Sequence, residues 1–149
     1  MRDIKEKSVY RIIDANTNRL KEGLRVCEEI ARFILKSRSL TESLKAIRHK
    51  LDKLKPDSVT LCCARDSLKD VGFSILARKE LTRYGLADIF FANIQRAKES
   101  LRVLEEFTKL KDKKVSYAYK KIRYEVYAVE KKIAPRISAL CNQDRKSVV

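Results

Sequence analysis

Apolar residues recur every three or four positions from about Val9 to Leu35, Leu40 to Leu54, Leu86 to Leu110 and Val115 to Ile133. A period near 3.6 residues predicts four amphipathic helices, each with one face to bury. Ser39 or Thr41 is expected to cap the second helix, and Pro56 stands just beyond its end. Residues 55–85 have the weakest periodicity and read as a linker, with a short extra helix expected near Ala77 to Tyr84. Residues 135–149 read as a polar, loosely structured tail.

A repeat overlies this pattern. The stretch "DANTNRLKEGLRVCEEIARF" from Asp14 and the stretch "FANIQRAKESLRVLEEFTKL" from Phe91 align at a constant offset of 77 positions, Asn93 against Asn16. Arg19 then matches Arg96, Glu22 matches Glu99, Arg25 matches Arg102, and Glu28 and Glu29 match Glu105 and Glu106. The helices that follow match more weakly, "LKAIRHKL" against "YKKIRYEV", which sets Arg48 opposite Arg123 and His49 opposite Tyr124. Each half, about 9–54 and 86–133, is a helical hairpin that cannot bury its apolar face alone. The expected fold is therefore all-α: one domain over 1–134, two related hairpins packed as a four-helix bundle with approximate two-fold symmetry.

Composition agrees with this picture. A chain of 149 residues with 44% hydrophobic content suits one core, and 37% charged residues with only 3 Gly and 2 Pro favour long helices. No apolar run is long enough to cross a bilayer and "MRDIKEKSVY" has no signal-peptide core, so a cytoplasmic location without membrane contact is expected. Cys27, Cys62, Cys63 and Cys141 have neither paired C-x-x-C spacing nor a histidine cluster; Cys27 reads as core, and Cys62 with Cys63 as a buried loop pair. The formal net charge of +15 attracts polyanions of any kind, and much of it lies in "KLKDKKVSYAYKKIRYEVYAVEKK".

Two repeated residues resist a purely structural reading. At about 100° per residue, Asn16 projects with Leu20, Cys27 and Ile34, and Arg19 lies at the edge of that face near Ile12, Val26 and Ile30. An unpartnered buried polar group costs about 1–3 kcal/mol, so Asn16, Arg19 and their counterparts Asn93 and Arg96 require partners. Two answers are open: carboxylates such as Glu22 and Glu99 pairing across the bundle, or a polar pocket that takes an anionic ligand. His49 reads as an edge residue because its counterpart is Tyr124, and Tyr117, Tyr119, Tyr124 and Tyr127 suit either packing or stacking on a base. The linker stretch "ARDSLKDVG" adds Arg65, Asp66, Lys69, Asp70 and Gly72. Arginine forks onto phosphate, aspartates hold Mg²⁺, and glycine admits close backbone approach, although no Walker-type phosphate loop is present.

Taken together, "RIIDANTNRLKEGLRVCEEIARF", "LKAIRHKL", "ARDSLKDVG", "ADIFFANIQRAKESLRVLEEF" and "IRYEVYAVEK" resemble the small helical hydroxymethylpyrimidine phosphate kinase domain of thiamin biosynthesis, over roughly Val9 to Lys131. That domain occurs alone and fused ahead of a thiamin phosphate synthase barrel. The resemblance implies a phosphomethylpyrimidine kinase, with ATP and Mg²⁺ as cofactors, that phosphorylates 4-amino-5-hydroxymethyl-2-methylpyrimidine phosphate to the diphosphate. It makes thiamin phosphate synthase a possible partner, yet the chain is too short for a (β/α)₈ barrel, so that synthase activity itself is not expected.

On that footing, Arg19, Arg96, Arg65 and Lys69 are expected to neutralise the phosphates, and Asp66 and Asp70 to hold Mg²⁺. Asn16 or Asn93 would read the aminopyrimidine edge, and Glu22 or Glu99 would orient the arginines. The competing expectations are a basic helical module that binds nucleic acid, predicting exposed clusters of Lys and Arg, and a non-catalytic scaffold docked onto a thiamin enzyme. A homodimer is compatible with either class.

Overall fold

The structure is a computed structural model describing residues 2–75 and 78–147, main chain alone at 2–4, 78 and 79. Helix α1 spans Arg2–Glu29 and runs into a π-helical turn at Ile30–Ile34. It is followed by α2 (Arg38–Asp52), α3 (Ser58–Ala64), 3₁₀ turns at Ser67–Lys69 and Arg78–Leu81, α4 (Leu86–Thr108) and α5 (Lys113–Ser147), with no strand among the described residues. The all-α expectation holds, and no described helix is long and apolar enough to cross a membrane.

Charged contacts give the helix directions. Lys111, just past α4, reaches Glu6 at 3.2 Å and covers the Tyr10 ring, while the backbone of Gly23 meets α4 at Asn93 and Ala97, so α1 and α4 are antiparallel. Glu28 with Arg48 and Lys21 with Asp52 fold α2 back along α1; Glu105 with Arg123 and Lys98 with Glu130 do the same for α5 on α4. Lys50 on α2 meets Glu125 on α5 at 2.8 Å and closes the ring α1, α2, α5, α4. In this ring α2 and α4 point the same way. The chain between them must return along the bundle, and this accounts for the long linker. Ile13, Leu20, Leu24 and Cys27 meet Leu44, Leu51, Phe90, Ile94, Leu101, Leu104, Val126 and Ile133 in one core.

Several local expectations are corrected. Ser37, and neither Ser39 nor Thr41, caps α2, its hydroxyl accepting from the Leu40 amide at 3.4 Å. Ahead of that cap, the Leu35 amide bonds the Ile30 carbonyl at 3.0 Å in π register, and Lys36 takes a left-handed conformation at φ 50° that turns the chain. The linker's regular helix is α3, capped by Asp57, with Leu61 and Ala64 buried. Two turns of helix are too short to display a period. Of the helix expected at Ala77 to Tyr84 only a 3₁₀ turn at Arg78–Leu81 is seen, and Ala77 lies outside the described residues. The loose tail is instead the last part of α5, which continues through Pro135. The buried pair Ile133 and Ile137 brackets the proline, and their burial offsets the lost hydrogen bond. Cys62 and Cys63 are exposed on α3, whereas Cys27 is buried, which pushes its thiol up to about 12.

Candidate functional site

The repeated charges form two matching networks. Glu28 is almost fully buried and takes Arg48 through both carboxylate oxygens, at 2.5 and 3.1 Å, with Arg25 at 3.4 Å. In the other half Glu105 takes Arg123 at 2.9 Å and Arg102 at 3.2 Å. Arg25 and Arg102 also reach Glu29 and Glu106 one turn on. These ion pairs tie each hairpin together and explain much of the repeat without a ligand.

The remaining repeated residues do not gather into one pocket. Asn16 is buried, and its amide donates to the Ile12 carbonyl of its own helix at 2.9 Å; Asn93 does the same to Ile89 at 2.8 Å. The partner that burial demands is thus local backbone. Arg19 and Arg96 point to solvent and make no hydrogen bond or ion pair among the described residues. Glu22 is exposed, Glu99 accepts from Gln95 at 3.2 Å, and neither carboxylate pairs with an arginine among the described residues. Glu99 lines a separate surface depression with Gln95, Lys98, Arg102, Arg123 and Tyr127. Of the four tyrosines singled out, Tyr119 is core and its phenol is pushed up to about 12 by burial; the other three are exposed, as is His49.

The linker residues are brought together, against α1. The Arg65 guanidinium forks onto Asp14, Nε to Oδ2 at 2.7 Å and Nη2 to Oδ1 at 2.8 Å. Asp14 is buried, and Asn18 donates to its Oδ1 at 3.2 Å. Arg11, one turn earlier, donates to the Asp66 carbonyl at 3.3 Å. These residues, with Ala15, Ser67 and Asp70, line a cleft of about 180 Å³. Hydrogen bonding to Asp14, then its charge, raises the Arg65 pKa further, so the guanidinium stays cationic throughout. The Asp66 carboxylate makes no hydrogen bond or ion pair among the described residues. One oxygen of Asp70 accepts from the Gly72 amide at 2.8 Å, and Lys69 stays exposed outside the cleft. Among the described residues no three His, Cys, Asp or Glu side chains cluster closely enough to hold a metal by themselves.

Asp14, Arg11 and Asn18 were missed by reasoning from repetition, because the cleft sits where the halves differ: Asp14 is matched by Phe91 and Arg11 by Asp88. An acid aligned with an aromatic was the available signal.

Residues 11–132 match the model of the ThiD2 family. The chain belongs to the ThiD2 family. A thiamine-phosphate synthase of Synechocystis sp. is 41% identical over 130 residues, 87% of this chain and 37% of the relative. One of Rhodopirellula baltica is 37% identical over 150 residues, covering 99% of this chain and 40% of its own length. One of Nostoc punctiforme is 39% identical over 125 residues, covering 84% and 35%. The chain therefore spans about two fifths of the length of these curated relatives, and the family connection is to thiamin biosynthesis. The expectation of a phosphomethylpyrimidine kinase set apart from thiamin phosphate synthase is corrected by these names: the chain's own relatives are thiamine-phosphate synthases. Length alone was a poor ground for that exclusion, since a family segment can share a polypeptide with a barrel. No solved structure matches the chain.

Proposed function

We propose that the chain carries out phosphoryl transfer from ATP to 4-amino-5-hydroxymethyl-2-methylpyrimidine phosphate, yielding the diphosphate within thiamin biosynthesis. The observation that supports this reading is the cleft in which Arg65, held by buried Asp14, shares a wall with Asp66 and Asp70. A volume of about 180 Å³ is smaller than pockets that enclose a whole small molecule. It suits the reacting phosphates, with the two organic bodies lying outside. Exposed Leu68, Val71 and Phe73 on the adjoining linker supply apolar surface for the pyrimidine ring.

The nucleophile is an oxygen of the substrate's own phosphate, already ionised at neutral pH, so the residues need not remove a proton. Their task is alignment and charge neutralisation. Arg65 holds a phosphate oxygen at its outer edge while its inner edge stays on Asp14. Arg11 adds a second cation on the same wall. The donor set fits Mg²⁺, which takes one or two carboxylates together with phosphate oxygens and water. Asp66 has both oxygens free for it among the described residues, and Asp70 has one not used by Gly72. The ion would neutralise charge on the nucleotide phosphates. Arg19 and Arg96, exposed and without hydrogen-bond or ion-pair partners among the described residues, are left to guide the anions toward the protein.

The test is release of ADP by the purified chain with ATP, Mg²⁺ and the pyrimidine phosphate, beside Arg65→Ala, Asp66→Asn and Arg96→Ala. The reading expects loss of about a hundredfold or more in the first two, with Arg96→Ala affected chiefly through KM. Unchanged turnover in both cleft variants would remove the cleft from the reaction.

A further inference from the structure

The outward face of α5 is used by neither the core nor the cleft. Between residues 113 and 136 this helix has only two acids, and both are drawn inward: Glu125 onto Lys50 of α2 and Glu130 onto Lys98 of α4. Lys113, Lys114, Lys120, Lys121, Lys131 and Lys132 are exposed, and none forms an ion pair among the described residues. At 100° per residue all six fall within about 60° of the direction of Tyr117. Tyr117 and Tyr124 stand on the same stripe, 60% and 58% exposed, with Lys121 lying over the Tyr117 ring at 5.1 Å.

The lysines come as three doublets along one line. At 1.5 Å per residue they are separated by about 10 and 16 Å, and the stripe is about 28 Å long. Within the stripe, one exposed tyrosine stands in each gap, Tyr117 in the first and Tyr124 in the second; Tyr127, also exposed, lies to one side of it. Soluble proteins commonly interleave acids with lysines on an exposed helix; here both acids are spent on neighbouring helices, so the face is cationic throughout. A row of phosphates complements such charge, and exposed rings between the charges give bases something to stack on. A lipid surface would ask for an apolar flank, and an acidic peptide would have no use for the rings.

We propose that this face of α5 binds single-stranded nucleic acid, several nucleotides at a time, with phosphates on the lysine doublets and bases on Tyr117 and Tyr124. The site needs nothing from the cleft, and its test is separate from the phosphoryl-transfer reading.

Fluorescence anisotropy of a labelled oligouridylate of about a dozen nucleotides, titrated with the full chain over a range of salt, reads the proposal directly. With four to six phosphates engaged, log K should fall against log salt with a slope of about −3 to −4. Lys120→Ala with Lys121→Ala should flatten the slope by about 1.4, whereas Tyr117→Ala with Tyr124→Ala should weaken binding at least roughly fivefold and leave the slope alone. All four positions are exposed, and circular dichroism confirms that the variants are folded. Absence of binding at low salt, indifference to either pair, equal affinity for a duplex of the same length, or displacement by polyglutamate at equal charge would each overturn the proposal.

Discussion

Replacing Asp14 by asparagine keeps the side chain's shape and removes the charge that holds Arg65. Oδ1 of Asp14 accepts from Asn18 and one arm of Arg65, and Oδ2 accepts from the other arm. An amide set to keep the first oxygen puts its NH₂ against Arg65 Nε, donor to donor, so one charge-assisted bond is lost and the other weakened. Such bonds contribute about 1.5–3 kcal/mol each when buried. Arg65 is 45% exposed, so water replaces part of the loss and about 1–2 kcal/mol is expected. For a chain of this size that lowers Tm by about 2–8 °C. Urea denaturation of Asp14→Asn, Arg65→Met and the double variant isolates the coupling, since the double variant should cost less than the sum. Turnover in the folded Asp14→Asn protein should drop about a hundredfold, because the guanidinium is no longer aimed. A stability change under about 0.5 kcal/mol, together with turnover within about twofold, would refute the reasoning.

Gly23→Ala should destabilise the bundle although alanine is the better helix former: the new Cβ would stand 2.8 Å from the Asn93 carbonyl, main chain that yields only if α1 and α4 separate. A net cost of about 1 kcal/mol or more is expected in urea denaturation. Thr17→Val should act in the opposite sense, gaining about 1 kcal/mol, because the Thr17 hydroxyl is buried without a partner among the described residues and its counterpart is Ile94. Alkaline pH should weaken the fold through Cys27, whose thiol rises from its ordinary 9.0 to about 12 on burial. Above pH 9 the unfolded chain releases that proton and the folded chain keeps it, so stability falls as pH rises toward 12. Tyr119, raised from 10.0 to about 12, adds a loss of the same sign, so Cys27→Val should flatten only part of the slope in urea midpoints measured across that range.

The fold was legible because the apolar period and the repeat report the same physics, a face each hairpin cannot bury alone. Element ends were less so. Ser37 caps α2 from a position that Ser39 and Thr41 seemed to fill equally well, and the burial of Ile133 and Ile137 carries α5 past a proline that local propensity reads as a stop. The repeated Asn and Arg residues pointed away from the cleft for a definite reason. Repetition preserves what both halves need, namely the Glu28 and Glu105 networks and the backbone bonds of Asn16 and Asn93. A cleft built by one linker against one helix leaves no echo in the second half. Arg65, Asp66 and Asp70 were recognisable from their chemistry, whereas Asp14 required knowledge of which side of α1 the linker crosses.

The most direct measurement is a ³¹P NMR time course of the chain with ATP, Mg²⁺ and hydroxymethylpyrimidine phosphate. The account predicts that the γ-phosphate signal of ATP falls as ADP and a second, pyrimidine-linked diphosphate appear together, and that Arg65→Ala abolishes both. Unchanged ATP and pyrimidine phosphate with folded protein, or diphosphate formation undiminished in Arg65→Ala, would contradict it.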